Sequence, residues 1–311
     1  LIPQQVVLGS GGVLGDTWMS GVIAGLLEAD GPDLRQCGRF VGTSAGSIVA
    51  TRLAAGEDMR AYLARRFDHG PDSIDTELIA GQSDGIHSSG GGDPSLLDRA
   101  ASATLGAIGP GGRLLRRSVL RLIPEGSREL AHLGRSIDRL MPEWDPRLSL
   151  IGLSVESGGR IVINGADRRG LTPSEAVRAS CAIPGVFRPV DSEAGPIVDG
   201  GVWSPVNLDA VPPEAGESVL CLYPSGYRSS PRSLRRTLTG GISRSRVRIE
   251  AASVRHRGGR VLTVAPDREA AEAIGPDRMD SDRDPAVAAS GFRQGVELAS
   301  SLNVWLTSQG G

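Results

Sequence analysis

Short apolar runs alternate with helix-spaced apolar stripes from the start of the chain. Val6, Val7 and Leu8 form a run closed by Gly9, which predicts a buried strand. A glycine-rich loop, Gly9 to Gly15, follows. From Asp16 to Ala29 the apolar residues Trp18, Met19, Val22 and Leu26 fall at helical spacing, and Gly31-Pro32 stops that helix. Arg39-Phe40-Val41 predicts a second strand, Gly42 to Gly46 a tight turn, and Ser47 to Ala55 a helix. Strand, loop, helix, strand, turn and helix in this order predict an α/β fold with a parallel sheet.

The pattern changes between about Asp68 and Gly112. Asp, Gly and Ser dominate there, as in Ser88-Ser89-Gly90-Gly91-Gly92, and we expect a connection or part of a cap over about 68–135. Gly112 to Ile123 is basic and amphipathic. Leu115, Val119 and Leu122 share one helical face, with Arg113, Arg116, Arg117 and Arg121 largely away from it. That pattern fits a surface helix packed on the core, or a lid or contact with anionic lipid. Leu148–Val155 and Arg160–Ile163 flank Ser157-Gly158-Gly159 as a hairpin. Thr172-Pro173-Ser174-Glu175 is a capping box with proline at the first helical position, and its helix should end before Pro184. Ile197-Val198 leads into Asp199-Gly200-Gly201. Further strands are expected at Ser218–Tyr223 and Arg260–Val264, with helices at Leu234–Val254 and Ala286–Leu306.

Composition narrows the chemistry. The chain has 311 residues, 39% hydrophobic and 23% charged, which is ordinary for a globular protein with a large core. Its net charge of −2 provides no general attraction for nucleic acid, and 4% aromatic residues are too few for base-stacking platforms. All 34 basic residues are arginine, which excludes a Schiff-base lysine or a phosphate-loop lysine. Cys37, Cys181 and Cys221 have neither metal-ligand nor redox spacing. Three reduced core thiols fit a cytoplasmic location. No apolar run reaches the ~18 residues of a membrane span. The chain starts at Leu1, which leaves a removed leader open.

The strongest chemical signal is Gly42-Thr43-Ser44-Ala45-Gly46, a G-x-S-x-G pattern between a predicted strand and a predicted helix. The turn would lift Ser44 clear of the backbone, Gly42 and Gly46 would avoid crowding, and the helix N-terminus would face developing charge. The loop Gly9 to Gly15 could serve as a plain turn. As a dinucleotide fingerprint it fails, because Leu14 occupies the third glycine position and the next strand ends without an acid. Backbone donors for a tetrahedral oxyanion suit it better. None of His69, His87, His132 and His256 carries a local signature. Asp199 could be a base held by two glycines or an ordinary Asp-Gly turn.

Four blocks in this order resemble the patatin-like phospholipase family: Gly9 to Gly15, Gly42 to Gly46, Ala182-Ile183-Pro184-Gly185-Val186-Phe187-Arg188-Pro189, and Asp199-Gly200-Gly201. The resemblance implies a three-layer α/β/α fold with a mainly parallel sheet and a Ser–Asp dyad without histidine. Ser44 would attack an ester carbonyl and Asp199 would accept its proton, with Gly11, Gly12 and Val13 forming the oxyanion hole. No metal or cofactor is implied. The substrate would be a lipid or another acyl ester, with transient peripheral membrane contact. The block from Ala182 would pack in the core and position the Asp199 strand. The chain departs from the family at Leu14, where the family often has Arg or Lys, which points to substrates less anionic than phospholipids. Two other readings remain: a Ser–Asp–His esterase using His256, and a lipid-binding module on a hydrolase scaffold. We expect 1–311 to form one domain.

Overall fold

The computed structural model of the protein describes residues 1–68, 112–227 and 234–308. Most of the expected cap, with the Ser88–Gly92 run, His69 and His87, lies outside the described residues. Among those described, seven strands form one sheet in the order β4-β3-β2-β1-β6-β7, with β5 pairing on β3. These are β1 (Gln5–Leu8), β2 (Arg39–Thr43), β3 (Leu148–Ser154), β4 (Arg160–Asn164), β5 (Ile197–Asp199), β6 (Ser218–Leu222) and β7 (Arg260–Val264). β3, β2, β1, β6 and β7 run parallel, whereas β4 and β5 are antiparallel to β3.

Residues of β1 and β2 point alternately to two apolar layers, as expected of a strand buried on both faces. Val6, Leu8 and Phe40 pack with α1 (Gly12–Glu28), α2 (Ala45–Ala54), the short α8 (Arg268–Ile274) and the late helix α9 (Asp284–Thr307). Val7 and Val41 pack on the opposite face against Val206, Leu208 and α7 (Leu234–His256). The architecture is therefore α/β/α.

The register places the ends of two strands together. β2 pairs with β3 as far as Thr43 opposite Ile151, and stops. β5 pairs with the next stretch of β3, with Asp199 opposite Gly152. Because β4 already occupies the other edge of β3 at Gly152 and Leu153, β5 lies on the β2 side and continues β2's place in the sheet. The residue after Thr43 is Ser44, so the seam between β2 and β5 brings Ser44 and Asp199 together.

Several helices follow the expected patterns. Thr172 caps α6 (Pro173–Cys181) in a reciprocal capping box with Glu175, as the sequence predicts. α1 starts at Gly12, four residues earlier than expected, because Leu14 is fully buried and its N–H is satisfied by Arg278 O at 3.0 Å. Likewise α2 begins at Ala45, so the turn is reduced to Ser44 alone.

The clearest correction concerns α4 (Gly112–Leu122). Its expected apolar face does not pack on the core: Leu115 and Leu122 are 50% and 83% exposed and Val119 is only half-buried, and Leu114 beside them is 70% exposed. Gly112, Arg116 and Leu120 face inward instead. The Arg116 guanidinium lies 4.0 Å over the Trp203 ring and its Nε donates to Gly158 O at 3.1 Å. Stacking and a carbonyl partner thus hold a cation at the position reserved for an apolar residue.

A buried ionic cluster joins α1, α2, α3 (Met59–Asp68) and α9. Arg52 Nη1 donates to Asp16 at 2.9 Å, and Arg66 bonds Asp16, Thr17 and Asp284. The Arg52 guanidinium also lies 3.9 Å over the Tyr62 ring. Each charge in so dry a place requires its partners.

Candidate active site

Ser44 sits at the carboxyl end of β2, where the chain reverses directly into α2. Its backbone has φ 54 and ψ −124, a left-handed conformation that a non-glycine residue rarely adopts. Such strain costs on the order of 1–3 kcal/mol and must be held by the surroundings. Ser180 of α6 holds it here: its Oγ accepts the Ser44 N–H at 2.9 Å and donates to Ile151 O at 2.7 Å. Ser47 Oγ donates to Ser44 O at 2.6 Å. The small residues of the elbow are required by contact. A Cβ at Gly46 would lie 2.0 Å from Leu8 O, and one at Gly42 would lie 2.5 Å from Ser47 Cα.

Asp199 is buried, 5% exposed, at the end of β5. Its N–H donates to Ala182 O at 2.9 Å, and Val190 bridges to Ile197, so the Ala182–Pro189 block aligns the strand as anticipated. Ala182 and Phe187 are also core residues. One carboxylate oxygen accepts the Gly201 N–H at 2.7 Å. Burial pushes the Asp199 carboxyl up to about 6, opposed by the Gly201 N–H and by a hydrogen bond with the Ser44 side chain. Gly200 packs under Ile151 O, where a Cβ would come within 2.4 Å.

The glycine loop follows β1, beside the elbow. Among its N–H groups, Gly9 donates to Leu222 O, Ser10 to Pro205 O, Leu14 to Arg278 O and Gly15 to Gly11 O. No acceptor among the described residues takes the N–H groups of Gly11, Gly12 and Val13, which belong to the unsatisfied first turn of α1. Gly12 has φ 65, and a Cβ there would approach Met279 Sδ to 2.8 Å. A Cβ at Gly201 would lie 3.3 Å from Ser10 Cβ, so the loop and the Asp turn abut. Elbow, carboxylate and free backbone donors therefore share one end of the sheet. Donors of this kind, pre-aimed at one place, can stabilise an oxyanion without reorganising.

Two positions that join these parts were not visible in the sequence. Asn207, at φ 52 and fully buried, donates through Nδ2 to Thr43 Oγ1 at 3.2 Å, Gly200 O at 3.2 Å and Ser204 O at 2.8 Å. It thereby ties the residue before Ser44 to the residue after Asp199. Glu250 of α7 supports it by accepting the Leu208 N–H at 3.0 Å. Ser180 is the second. Neither belongs to a local motif; a tolerance of Asn for left-handed backbone is the only hint.

His256 does not join the site. It ends α7, just ahead of β7, and is exposed. Since β7 runs parallel to β2, its beginning lies at the end of the sheet opposite Ser44, which removes the triad with His256. His132 is also exposed, on α5 (Ala131–Leu140), beside Arg135. Cys37, Cys181 and Cys221 are buried and free, and burial pushes the Cys37 thiol up to about 12. Leu14 is a fully buried core residue.

Among curated proteins none matches the sequence. Solved structures with some likeness include VipD from Legionella pneumophila, with 16% identity, a TM-score of 0.43, and coverage of 96% of this chain and 67% of VipD. The type III effector ExoU has 17% identity and a TM-score of 0.37, with 97% and 54% covered. ExoU in complex with SpcU from Pseudomonas aeruginosa has 16% identity and a TM-score of 0.42, with 96% and 52% covered. The chain thus spans about half the length of ExoU, and at these TM-scores the likeness carries no functional weight. The sequence profile is different in kind: the patatin-like phospholipase profile matches residues 6–212, from β1 past the Asp199 turn. With more than half of its length matched in this way, the chain belongs to the patatin-like phospholipase family.

Proposed function

We propose that the chain is a lipid acyl hydrolase that cleaves carboxylic esters through a covalent acyl-enzyme. Ser44 Oγ attacks the ester carbonyl while Asp199 takes its proton. The N–H groups of Gly11, Gly12 and Val13 stabilise the oxyanion. Collapse of the intermediate expels the alcohol, which receives the proton from Asp199. Water then attacks the acyl-enzyme by the same route and releases the carboxylic acid. A carboxyl near 6 is ionised at neutral pH yet a stronger base than a surface carboxylate, which suits this work.

The observation that carries the reading is the seam between β2 and β5, where a strained Ser44 meets a buried Asp199 beside unsatisfied backbone donors. Family membership supports the lipid substrate. β6 and β7 add strands to the same sheet from beyond residue 212, which supports one hydrolase domain. Turnover of p-nitrophenyl esters and phospholipids by wild type, Ser44→Ala, Asp199→Asn and His256→Ala tests it. We expect loss of turnover in the first two variants and near-normal turnover in the third. Turnover that survives Ser44→Ala would defeat the reading. A wild type inert with and without detergent would favour a lipid-binding module.

A further inference from the structure

We propose that the outer face of α4 docks on an anionic lipid surface; the inference rests on the lipid-hydrolase reading and assigns the surface through which it meets its substrate. Helices on soluble proteins normally bury their apolar stripe. α4 does the reverse, turning Arg116 inward onto Trp203 and leaving Leu114, Leu115 and Leu122 outside. From Leu114 to Leu122 this stripe runs ~12 Å along the axis. Beside it stand Arg113 and Arg121, exposed, and Arg117, half-buried. The helix carries four arginines and no acid, on a chain whose net charge is −2. With Arg116 turned inward, Arg113, Arg117 and Arg121 remain to flank the outer face, and the helix sets no acid against them. An apolar half flanked by arginines is the arrangement of a helix lying in a bilayer interface, with leucines in the acyl region and guanidiniums among anionic headgroups.

Charge decides between occupants. A second copy docking through the same face would set two arginine rows against each other, whereas an anionic bilayer complements them. The face is also continuous with the catalytic strand. Leu120 packs with Leu153 and with Val198, the residue before Asp199, and Ile123 reaches to within 3.2 Å of a Cβ placed on Gly185. A bilayer held on the outer face of α4 is thus separated from β5 by that one helix, ~10 Å across. No helix among the described residues is long and apolar enough to cross a membrane, so attachment through these helices is superficial.

Co-sedimentation with phosphatidylcholine vesicles, with and without phosphatidylserine, tests the proposal in a Ser44→Ala background that leaves the lipid intact. Binding should require phosphatidylserine and weaken with added salt. The variant Arg113→Gln/Arg117→Gln/Arg121→Gln should lose affinity by about five-fold per arginine, on the order of a hundred-fold in all. Leu115→Glu/Leu122→Glu should bind no better than that. The same substitutions in the Ser44 enzyme should leave turnover of a soluble p-nitrophenyl ester unchanged, which shows that the fold is intact. Vesicle binding equal to wild type in both variants, or no binding by the parent, overturns the proposal. So does a dimer, seen by light scattering, that these variants dissociate. If wild type fails on the soluble ester, the hydrolase reading fails separately, whatever the vesicles show.

Discussion

Asp199→Asn should inactivate the enzyme and stabilise the fold at the same time. The carboxyl is buried, and burial raises it from the ordinary 3.8 to about 6 despite the Gly201 N–H and the Ser44 side chain. A carboxylate raised in the folded state is penalised when ionised. Below about pH 4 both folded and unfolded chains hold the proton and no penalty exists. Between about pH 4 and 6 the unfolded chain binds fewer protons, so stability falls as pH rises. Above that window the penalty is constant. A rise of roughly two units corresponds to about 3 kcal/mol. Asn is nearly isosteric, can still accept the Gly201 N–H through its amide oxygen, and carries no charge. Urea unfolding of wild type and variant at several pH values measures the difference directly, because all other titrating groups are common to both. We expect equal stability near pH 4 and a gap that opens toward about 3 kcal/mol in favour of the variant by about pH 7. A gap that is absent, independent of pH, or in favour of wild type at neutral pH would refute the argument.

The other predictions concern the same site and its support. For the wild type, log kcat/KM on a soluble ester should rise with unit slope and level off above a pH of about 6, as the base ionises; a flat profile between about pH 5 and 7 would contradict it. Asn207→Ala removes the bonds to Thr43 and Gly200 and should lower kcat with little change in KM, a split that steady-state kinetics reads. Asp16→Ala leaves Arg52 and Arg66 in a dry interior without one of their partners and should cost about 3–5 kcal/mol in urea unfolding.

The strands and most helices were legible because their signals are local. Val6–Leu8 with Gly9, the capping box at Thr172, and the hairpin around Ser157–Gly159 each specify their conformation within a few residues. Ser44 and Asp199 could be picked out from glycine patterns and family likeness. What brings them together could not. The seam between β2 and β5 is a matter of sheet register, set by strands more than a hundred residues apart. Asn207 acts through a bond to Thr43, and Ser180 through bonds to Ser44 and Ile151, all distant in sequence. Asp16, Arg52, Arg66 and Asp284 look like surface charges until three helices and the late helix α9 close around them. α4 misled for a related reason. Its stripe of leucines predicts burial by periodicity alone, but the Trp203 ring and the Gly158 carbonyl offered Arg116 a better place. The start of α1 was obscured by glycines, which mark a loop by propensity but here form the first turn of a helix.

The central claim is that Ser44 is the nucleophile and Asp199 its base. Intact mass after treatment with a serine-directed fluorophosphonate tests it most directly. The account predicts one adduct on wild type, none on Ser44→Ala, and strongly slowed labelling of Asp199→Asn in spite of its higher stability. An adduct that persists on Ser44→Ala, or undiminished labelling of Asp199→Asn, would contradict it.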